Sequence, residues 1–98
     1  MYTWTEEKNQ RNKQKHGLFF SEITDVFDDS HLIEWYDKAH SSLNEDRYIC
    51  LGRLHDTVIL FVVYTERGDN IHIISARTAE PHEERLYYEY YEREVRGN

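Results

Sequence analysis

Four arginines near the ends of the predicted strands are the residues in this sequence best suited to hold a phosphate group. They are Arg47, Arg53, Arg67 and Arg77. A guanidinium stays charged and presents paired N–H groups that match two phosphate oxygens. A small sheet can gather such side chains at one rim, and Arg77 is the best single candidate for a phosphate anchor.

Two further residues of the same region can carry protons. Glu66 and His72 lie on either side of a predicted turn, and histidine titrates near neutral pH. A reaction that moves protons needs a base and an acid, and one that builds up negative charge needs cations nearby. Arg47, Glu66, His72 and Arg77 are therefore the candidate catalytic residues.

Lys15 and His16, at the end of the first predicted helix, are candidates for further phosphate contacts, as are Arg53 and Arg67. Each assignment has an ordinary structural alternative. Exposed arginines are usually in surface ion pairs, which contribute roughly 0–1 kcal/mol. A strand histidine such as His72 is more often exposed or hydrogen-bonded to a neighbour than catalytic. For Lys15 and His16 the alternative is that the polar first helix is a solvated surface whose asparagine and histidine side chains cap neighbouring backbone.

The sequence favours neither a metal site nor a cofactor. Its six histidines are scattered, with no pair at ligand spacing on a common face, and it has no glycine-rich phosphate loop. The single cysteine, Cys50, stands in a predicted strand and is expected to be a buried thiol in a reducing cytoplasm. No apolar run approaches the roughly 20 residues of a membrane-spanning helix. We therefore expect a cytoplasmic protein without a membrane partner.

The centre of the fold is predicted to be an antiparallel hairpin. Residues 58–64 are all apolar or aromatic, which predicts a strand covered on both faces. A turn follows, and residues 70–77 bring back β-branched side chains. Residues 47–54 predict a third strand, in which Gly52 marks a bulge or the close approach of another segment. Residues 31–37 predict an edge strand.

The first helix is predicted to be capped by Thr5, to run to about His16 and to end at Gly17. It has no apolar stripe, so ordinary core burial cannot hold it. We expect its ends and hydrogen bonds from Asn9, Asn12 and His16 to attach it to the rest of the protein.

Two more helices complete the prediction, a short amphipathic one over residues 21–28 and a last one that begins after Thr78 or Glu80. Four tyrosines of the last helix predict core packing, with stacking on nucleotide bases as the alternative. The predicted fold is α+β, with a small antiparallel four-stranded sheet, two N-terminal helices and one C-terminal helix in the order ααββββα. Residues 1–98 are predicted to form a single domain.

The net charge of −7 speaks against a nucleic-acid binder, but the charge is segregated. Residues 18–46 hold eight acids against one lysine. Residues 1–17 are net positive, with Lys8, Arg11, Lys13 and Lys15 against Glu6 and Glu7. A local basic surface is therefore compatible with the composition.

Several segments of this sequence, in their order and spacing, resemble the BrnT family of toxins. In the first half they are Trp4-Thr5-Glu6-Glu7-Lys8-Asn9, Asn12, Lys15-His16-Gly17, Phe20 and Phe27-Asp28-Asp29. In the second half they are Arg47 with Gly52, Val62-Val63-Tyr64-Thr65-Glu66-Arg67-Gly68, Ile73-Ile74-Ser75-Ala76-Arg77, and Glu84-Arg85 with Tyr88. The resemblance covers nearly the whole chain.

The resemblance implies a RelE-like fold and a metal-independent endoribonuclease that cleaves RNA and inhibits translation, as the toxin of a type II toxin–antitoxin pair. Its implied partner is a BrnA-like antitoxin, a DNA-binding protein that neutralises the toxin and represses their operon, so that operator DNA is contacted only through the antitoxin. The alternative is a binding module with little or no catalysis, favoured by the acidity and by His72, where the family often has arginine.

Overall fold

The computed structural model describes residues 1–97 and contains a five-stranded mixed sheet with two α-helices. The elements are β1 (Tyr2–Thr3), α1 (Glu6–His16), β2 (Ile33–Tyr36), β3 (Arg47–Leu54), β4 (Val58–Arg67), β5 (Asn70–Thr78) and α2 (Pro81–Val95). Two short 3₁₀ turns, Phe20–Glu22 and Thr24–Asp28, connect α1 to β2. Within the described residues, no helix is long and apolar enough to cross a membrane.

The strands form a meander to which one edge strand is added. β2, β3, β4 and β5 pair antiparallel in chain order. β1 pairs with β5 in parallel, with Tyr2 opposite Ile71 and Thr3 opposite His72. The sheet order is therefore β1-β5-β4-β3-β2.

The two faces of the sheet are covered by different parts of the chain. One face, here called the core face, carries Val62 and Ala76 and packs against Phe20 of the first 3₁₀ turn. The other face, here called the α2 face, carries Leu51, which packs against the fully buried Tyr87 of α2. The central strand β4 is thus covered on both sides, as its unbroken apolar run predicts.

An extra residue in β5 changes which of its side chains share a face. Ile74 has no partner on β4, because the pairing between the two strands shifts by one residue at that point. As a result Ile73 and Ala76, three positions apart, both belong to the core face. The same bulge puts His72 on the α2 face with Arg77, although a regular strand would place residues five positions apart on opposite faces.

The α+β class is confirmed, and two details of the prediction are wrong. The sheet has a fifth strand, Tyr2–Thr3, which precedes the first helix and pairs in parallel with β5. A two-residue strand is too short to produce a recognisable alternation, so the sequence pattern does not reveal it. The second predicted helix is in its expected place but winds as 3₁₀ turns, with Ile23 and Val26 fully buried.

Gly52 is a point of close approach between β3 and the segment before β2. It pairs regularly with Leu60, so it is not a bulge. A Cβ atom at this position would lie 2.6 Å from Val26 Cγ2 and 2.7 Å from Leu32 Cδ1. Real Cβ atoms do not come this near, and only glycine lets the second 3₁₀ turn lie flat on the core face.

We expect Gly52→Ala to lower the free energy of unfolding by about 1–3 kcal/mol, because the added methyl group overpacks the core. Urea denaturation followed by tryptophan fluorescence measures the change. Val26→Ala removes one of the two clashing methyl groups, so the double variant should lose less than the sum of the two single losses. Strict additivity would show that the close contact is not the cause.

Candidate functional site

α1 is attached to the sheet by asparagines rather than by apolar side chains. Asn9 and Asn12 are its buried residues. The Asn12 amide donates to the Ala76 carbonyl at 2.9 Å and accepts from the Ala76 N–H at 3.0 Å, and Asn9 Oδ1 accepts from the Phe20 N–H at 2.8 Å. The predicted role of both asparagines is confirmed. His16 does not share that role and instead lines a cleft.

This cleft lies between α1 and β5 and has a volume of about 240 Å³. Its lining residues are Lys8, Arg11, Asn12, Lys15, His16, Ile74 and Ser75. Three of them are permanently charged cations and none is an acid. We call this set of residues the α1–β5 cleft.

The cations of the α1–β5 cleft have few internal partners. Within residues 1–97, Lys8 and Lys15 make no ion pair, and Arg11 makes a single exposed pair with Glu7 at 3.5 Å. Surface pairs of that kind are weak and are easily exchanged for another anion. The cleft is therefore positively charged in a protein whose net charge is −7.

His16 lines the α1–β5 cleft and is near enough to Arg77 to respond to its charge. Burial lowers the pKa of His16, and the positive charges of Lys15 and Arg77 lower it further. The imidazole is therefore neutral at neutral pH and can accept a proton. A neutral base beside fixed cations is an arrangement that suits the deprotonation of a hydroxyl near a phosphate.

Arg77 has a fixed orientation on the α2 face. Its two terminal nitrogens donate to the two carboxylate oxygens of Glu83 at 2.8 and 2.9 Å, and one of them also donates to the Thr78 carbonyl. The guanidinium lies 4.0 Å from the ring centroid of Phe61. The hydrogen bonds that Arg77 donates to the Glu83 carboxylate raise the pKa of Arg77. The side chain is still 27 % exposed, so one side of this cation stays open to solvent.

Glu83 is held by the start of α2. It accepts the Glu80 N–H at 2.8 Å, and Glu80 is the N-cap of the helix. Burial alone would raise the pKa of Glu83, but the hydrogen bonds from Arg77 and from the Glu80 amide lower it. Glu83 is thus a carboxylate that α2 places against the guanidinium of Arg77.

Arg47 and Arg67 lie at the other end of the sheet, and the structure does not gather the four arginines at one rim. Both contact Glu45, at 3.0 and 3.4 Å. Arg47 pairs with Thr65 of β4, whereas Arg77 pairs with Phe61. Four residues along a strand correspond to about 13 Å, so the two groups of cations are separate.

His72 and Glu66, the predicted proton carriers, are on opposite faces of the sheet. His72 pairs with Thr65 on the α2 face, is only 7 % exposed and shares a hydrogen bond of 2.8 Å with Thr3 Oγ1. Burial and the nearby Arg67 lower its pKa. Glu66 is exposed and lies beside Tyr48 and other residues of the core-face side. The alternation of neighbouring residues along β4 separates the two.

Arg53 is surrounded by tyrosines of α2. Its guanidinium carbon lies 4.7 Å from the ring centroid of Tyr91 and 5.8 Å from those of Tyr87 and Tyr88. Its predicted surface ion pair is present, with Asp56 at 3.7 Å. Core packing of the helical tyrosines is confirmed for the fully buried Tyr87, whereas Tyr88 remains exposed.

The residues that sequence reasoning did not select are Arg11, Ser75 and Glu83. Lys8 contributes to the positive charge of residues 1–17 but was not selected as a site residue. A helical wheel brings Lys8 and Arg11 near Lys15, but only the position of α1 along β5 shows that they share a cleft with Ser75. Within residues 1–97, no group of three or more potential ligands is arranged to hold a metal ion.

The fold and the site together define a small α+β protein with a cation-lined cleft at one edge of a mixed sheet. Residues 4–83 match the family described as "Ribonuclease toxin, BrnT, of type II toxin-antitoxin system". The structure is similar to the 1.1 Å crystal structure of the Brucella abortus ribonuclease toxin BrnT, with a TM-score of 0.68 and 29 % sequence identity. That match covers 82 % of this chain and 97 % of the Brucella chain. No significant match was found among curated proteins.

The chain therefore belongs to the BrnT family of ribonuclease toxins of type II toxin–antitoxin systems. Membership of a type II system implies an antitoxin partner. The resemblance drawn from the sequence alone is confirmed.

We expect Asn12→Ala to lower the free energy of unfolding by about 2 kcal/mol or more, because it leaves the buried N–H and C=O of Ala76 without partners. Urea denaturation measures the loss. Asn44→Ala, at an exposed loop asparagine, is the matched control and should stay within about 0.5 kcal/mol of the parent. Equal losses in the two variants would contradict the proposed attachment of α1.

Proposed function

We propose that this chain is an active endoribonuclease that needs no metal ion or other cofactor and that inhibits translation by cleaving RNA. The observation that carries the proposal is Arg77, a partly exposed guanidinium held in place by Glu83 and Phe61. The neutral imidazole of His16 is close enough for the charge of Arg77 to lower its pKa. A fixed cation and a neutral base are two of the groups that the reaction requires.

The proposed reaction is the attack of a ribose 2′-hydroxyl on the adjacent phosphate. His16 accepts the hydroxyl proton as the 2′-oxygen forms its bond to phosphorus, and the bond from phosphorus to the 5′-oxygen breaks. The products are a 2′,3′-cyclic phosphate and a 5′-hydroxyl, whose proton comes from water. Arg77 stabilises the negative charge on the phosphoryl oxygens, and its bond to Glu83 means that little reorganisation is needed at that moment.

The other predicted residues enter the proposal with different roles. Arg47, Arg67 and His72 form a second group on the α2 face, which we propose as a contact for a more distant part of the RNA. Proton transfer by Glu66 and phosphate binding by Arg53 stay predictions. Glu66 lies on the core-face side of the sheet, away from Arg77, and Arg53 is packed among tyrosines.

The proposed biological setting follows the resemblance to the family. The neutralising partner is a BrnA-like antitoxin, which binds the operator DNA of their operon and carries the toxin to it. The site of action is the cytoplasm, where the single buried thiol of Cys50 stays reduced. A RelE-like description of the fold belongs to the same proposal.

The first test is cleavage of RNA by the purified chain with and without a chelator. We expect the same cleavage rate in EDTA as in its absence, since the proposed chemistry relies on Arg77 and His16 alone. Product analysis should find 2′,3′-cyclic phosphate and 5′-hydroxyl ends. A rate that collapses in EDTA and returns with a divalent cation would exclude the metal-independent reaction.

The second test removes Arg77 without leaving a buried carboxylate unpaired. Glu83 is only 9 % exposed, so Arg77→Ala alone endangers the fold. In the double variant Arg77→Ala/Glu83→Gln we expect a cleavage rate lower by about 10²–10³-fold, which is typical when a group that stabilises the transition-state charge is removed. The matched control is Arg85→Ala/Glu89→Gln, which changes two exposed residues of α2, and it should cleave like the parent. Full activity in the folded Arg77 variant would remove Arg77 from the mechanism.

A second candidate function is that of a binding module without catalysis, which complexes the antitoxin and modulates its repression of the operon. One observation favours it, namely that Glu83 already occupies the bidentate face of Arg77 that a phosphate would use. The cleavage assay separates the two candidates. No cleavage alongside tight binding of the antitoxin supports the binding module, whereas cleavage in EDTA supports the enzyme.

A further inference from the structure

The α1–β5 cleft differs in charge from the other large clefts of this protein. A cleft of about 410 Å³ beside the second 3₁₀ turn is lined by the acids Asp25, Asp28, Asp29 and Asp56 around Arg53. Another of about 250 Å³ surrounds Arg67 with the acids Glu45, Asp46 and Glu66. In both of them the cation already has carboxylates for neighbours. The α1–β5 cleft has cations and no acid in its lining.

The cations of the cleft also have a regular arrangement. Lys8, Arg11 and Lys15 follow one another on α1 at intervals of three and four residues, so they share one side of the helix. The rise from Lys8 to Lys15 is about 10 Å. A stacked nucleic-acid strand places a phosphate about every 3.4 Å along its axis, so this row spans about three successive phosphate-to-phosphate steps of a single strand.

The opposite wall of the cleft comes from β5. Ser75 contributes a hydroxyl that can donate to a phosphate oxygen, and Ile74, displaced by the bulge, contributes an apolar surface. Arg77 follows Ser75 on the same face of the strand. A backbone that runs along α1 is therefore led toward the Arg77 guanidinium.

We propose that the α1–β5 cleft binds the sugar-phosphate backbone of single-stranded RNA through Lys8, Arg11, Lys15 and Ser75. The choice of RNA rests on the proposed function, whereas the anion-binding character rests on the lining of the cleft. A single strand fits because the cations form one row beside a narrow cleft, and a duplex would bring its second backbone against an acidic protein.

The test measures binding without cleavage. The probe is a fluorescein-labelled 2′-O-methyl oligoribonucleotide of about ten nucleotides, a length in the usual range of single-strand sites. Since 2′-O-methylation removes the attacking hydroxyl, binding can be followed by anisotropy in the full chain whether or not the chain is an active nuclease. The variant is Lys8→Gln/Lys15→Gln. The matched control is Lys13→Gln/Lys38→Gln, which removes the same charge from two exposed lysines outside the cleft.

We expect the cleft variant to bind at least about tenfold more weakly than the parent at low salt, and the control to bind within about twofold. The slope of log Kobs against log salt concentration should become shallower by about 1.4 in the cleft variant, which corresponds to two lost phosphate contacts. A duplex of the same sequence and a mononucleotide should compete poorly with the probe.

Equal losses in the cleft variant and the control would overturn the proposal, because the effect would then be one of net charge. Unchanged RNA binding with weakened binding of the antitoxin would also overturn it, since the cleft would then be an antitoxin site. If the parent chain cleaves no RNA and the cleft variant loses RNA binding, the proposed enzyme is contradicted but the cleft proposal is supported. If the parent chain cleaves RNA and the cleft variant binds RNA normally, the enzyme is supported and the cleft proposal is contradicted.

Discussion

The hydrogen bonds between the Asn12 side chain and the backbone of Ala76 are the interaction on which the rest of the site depends. β1 ends at Thr3, so the outer edge of β5 has no strand partner further along. The side-chain amide of Asn12 offers Ala76 a donor and an acceptor in the spacing of a peptide group, so it takes the place of a strand partner at this point. Because α1 is held in this way, it needs no apolar stripe, and lysine and arginine can occupy its other positions without weakening its attachment.

The bulge at Ile74 is the second feature that shapes the site. It lets β5 keep Ile73 and Ala76 in the core while Ser75 and Arg77 turn to the α2 face. The extra residue also pushes an apolar side chain outward, where it lines the α1–β5 cleft. Bulges often redirect side chains next to functional sites. Here one inserted residue sets both the wall of the cleft and the direction of Arg77.

Some features of this fold depend on neighbouring residues, and others depend on distant parts of the chain. The caps of α1, the central hairpin and the close contact at Gly52 were predictable, because each depends on a few neighbouring residues. The strand Tyr2–Thr3 and the bulge were not, since both arise from pairing with a distant part of the chain. Glu66 and His72 are close in sequence and were expected to work together, but strand alternation puts them on opposite faces. The cleft shared by Lys8, Lys15 and Ser75 likewise exists only in three dimensions.

The acidity of this protein is compatible with an anion site because no acid lines the α1–β5 cleft. Glu45 pairs with Arg47 and Arg67, and Glu83 pairs with Arg77. Arginine is the cation best suited to such fixed pairs, whereas Lys8 and Lys15 make no ion pair within residues 1–97. At about 0.1 M salt the Debye length is about 10 Å, so a phosphate in the α1–β5 cleft responds mainly to the charges that line it. Local arrangement, rather than the net charge of −7, therefore decides what this surface binds.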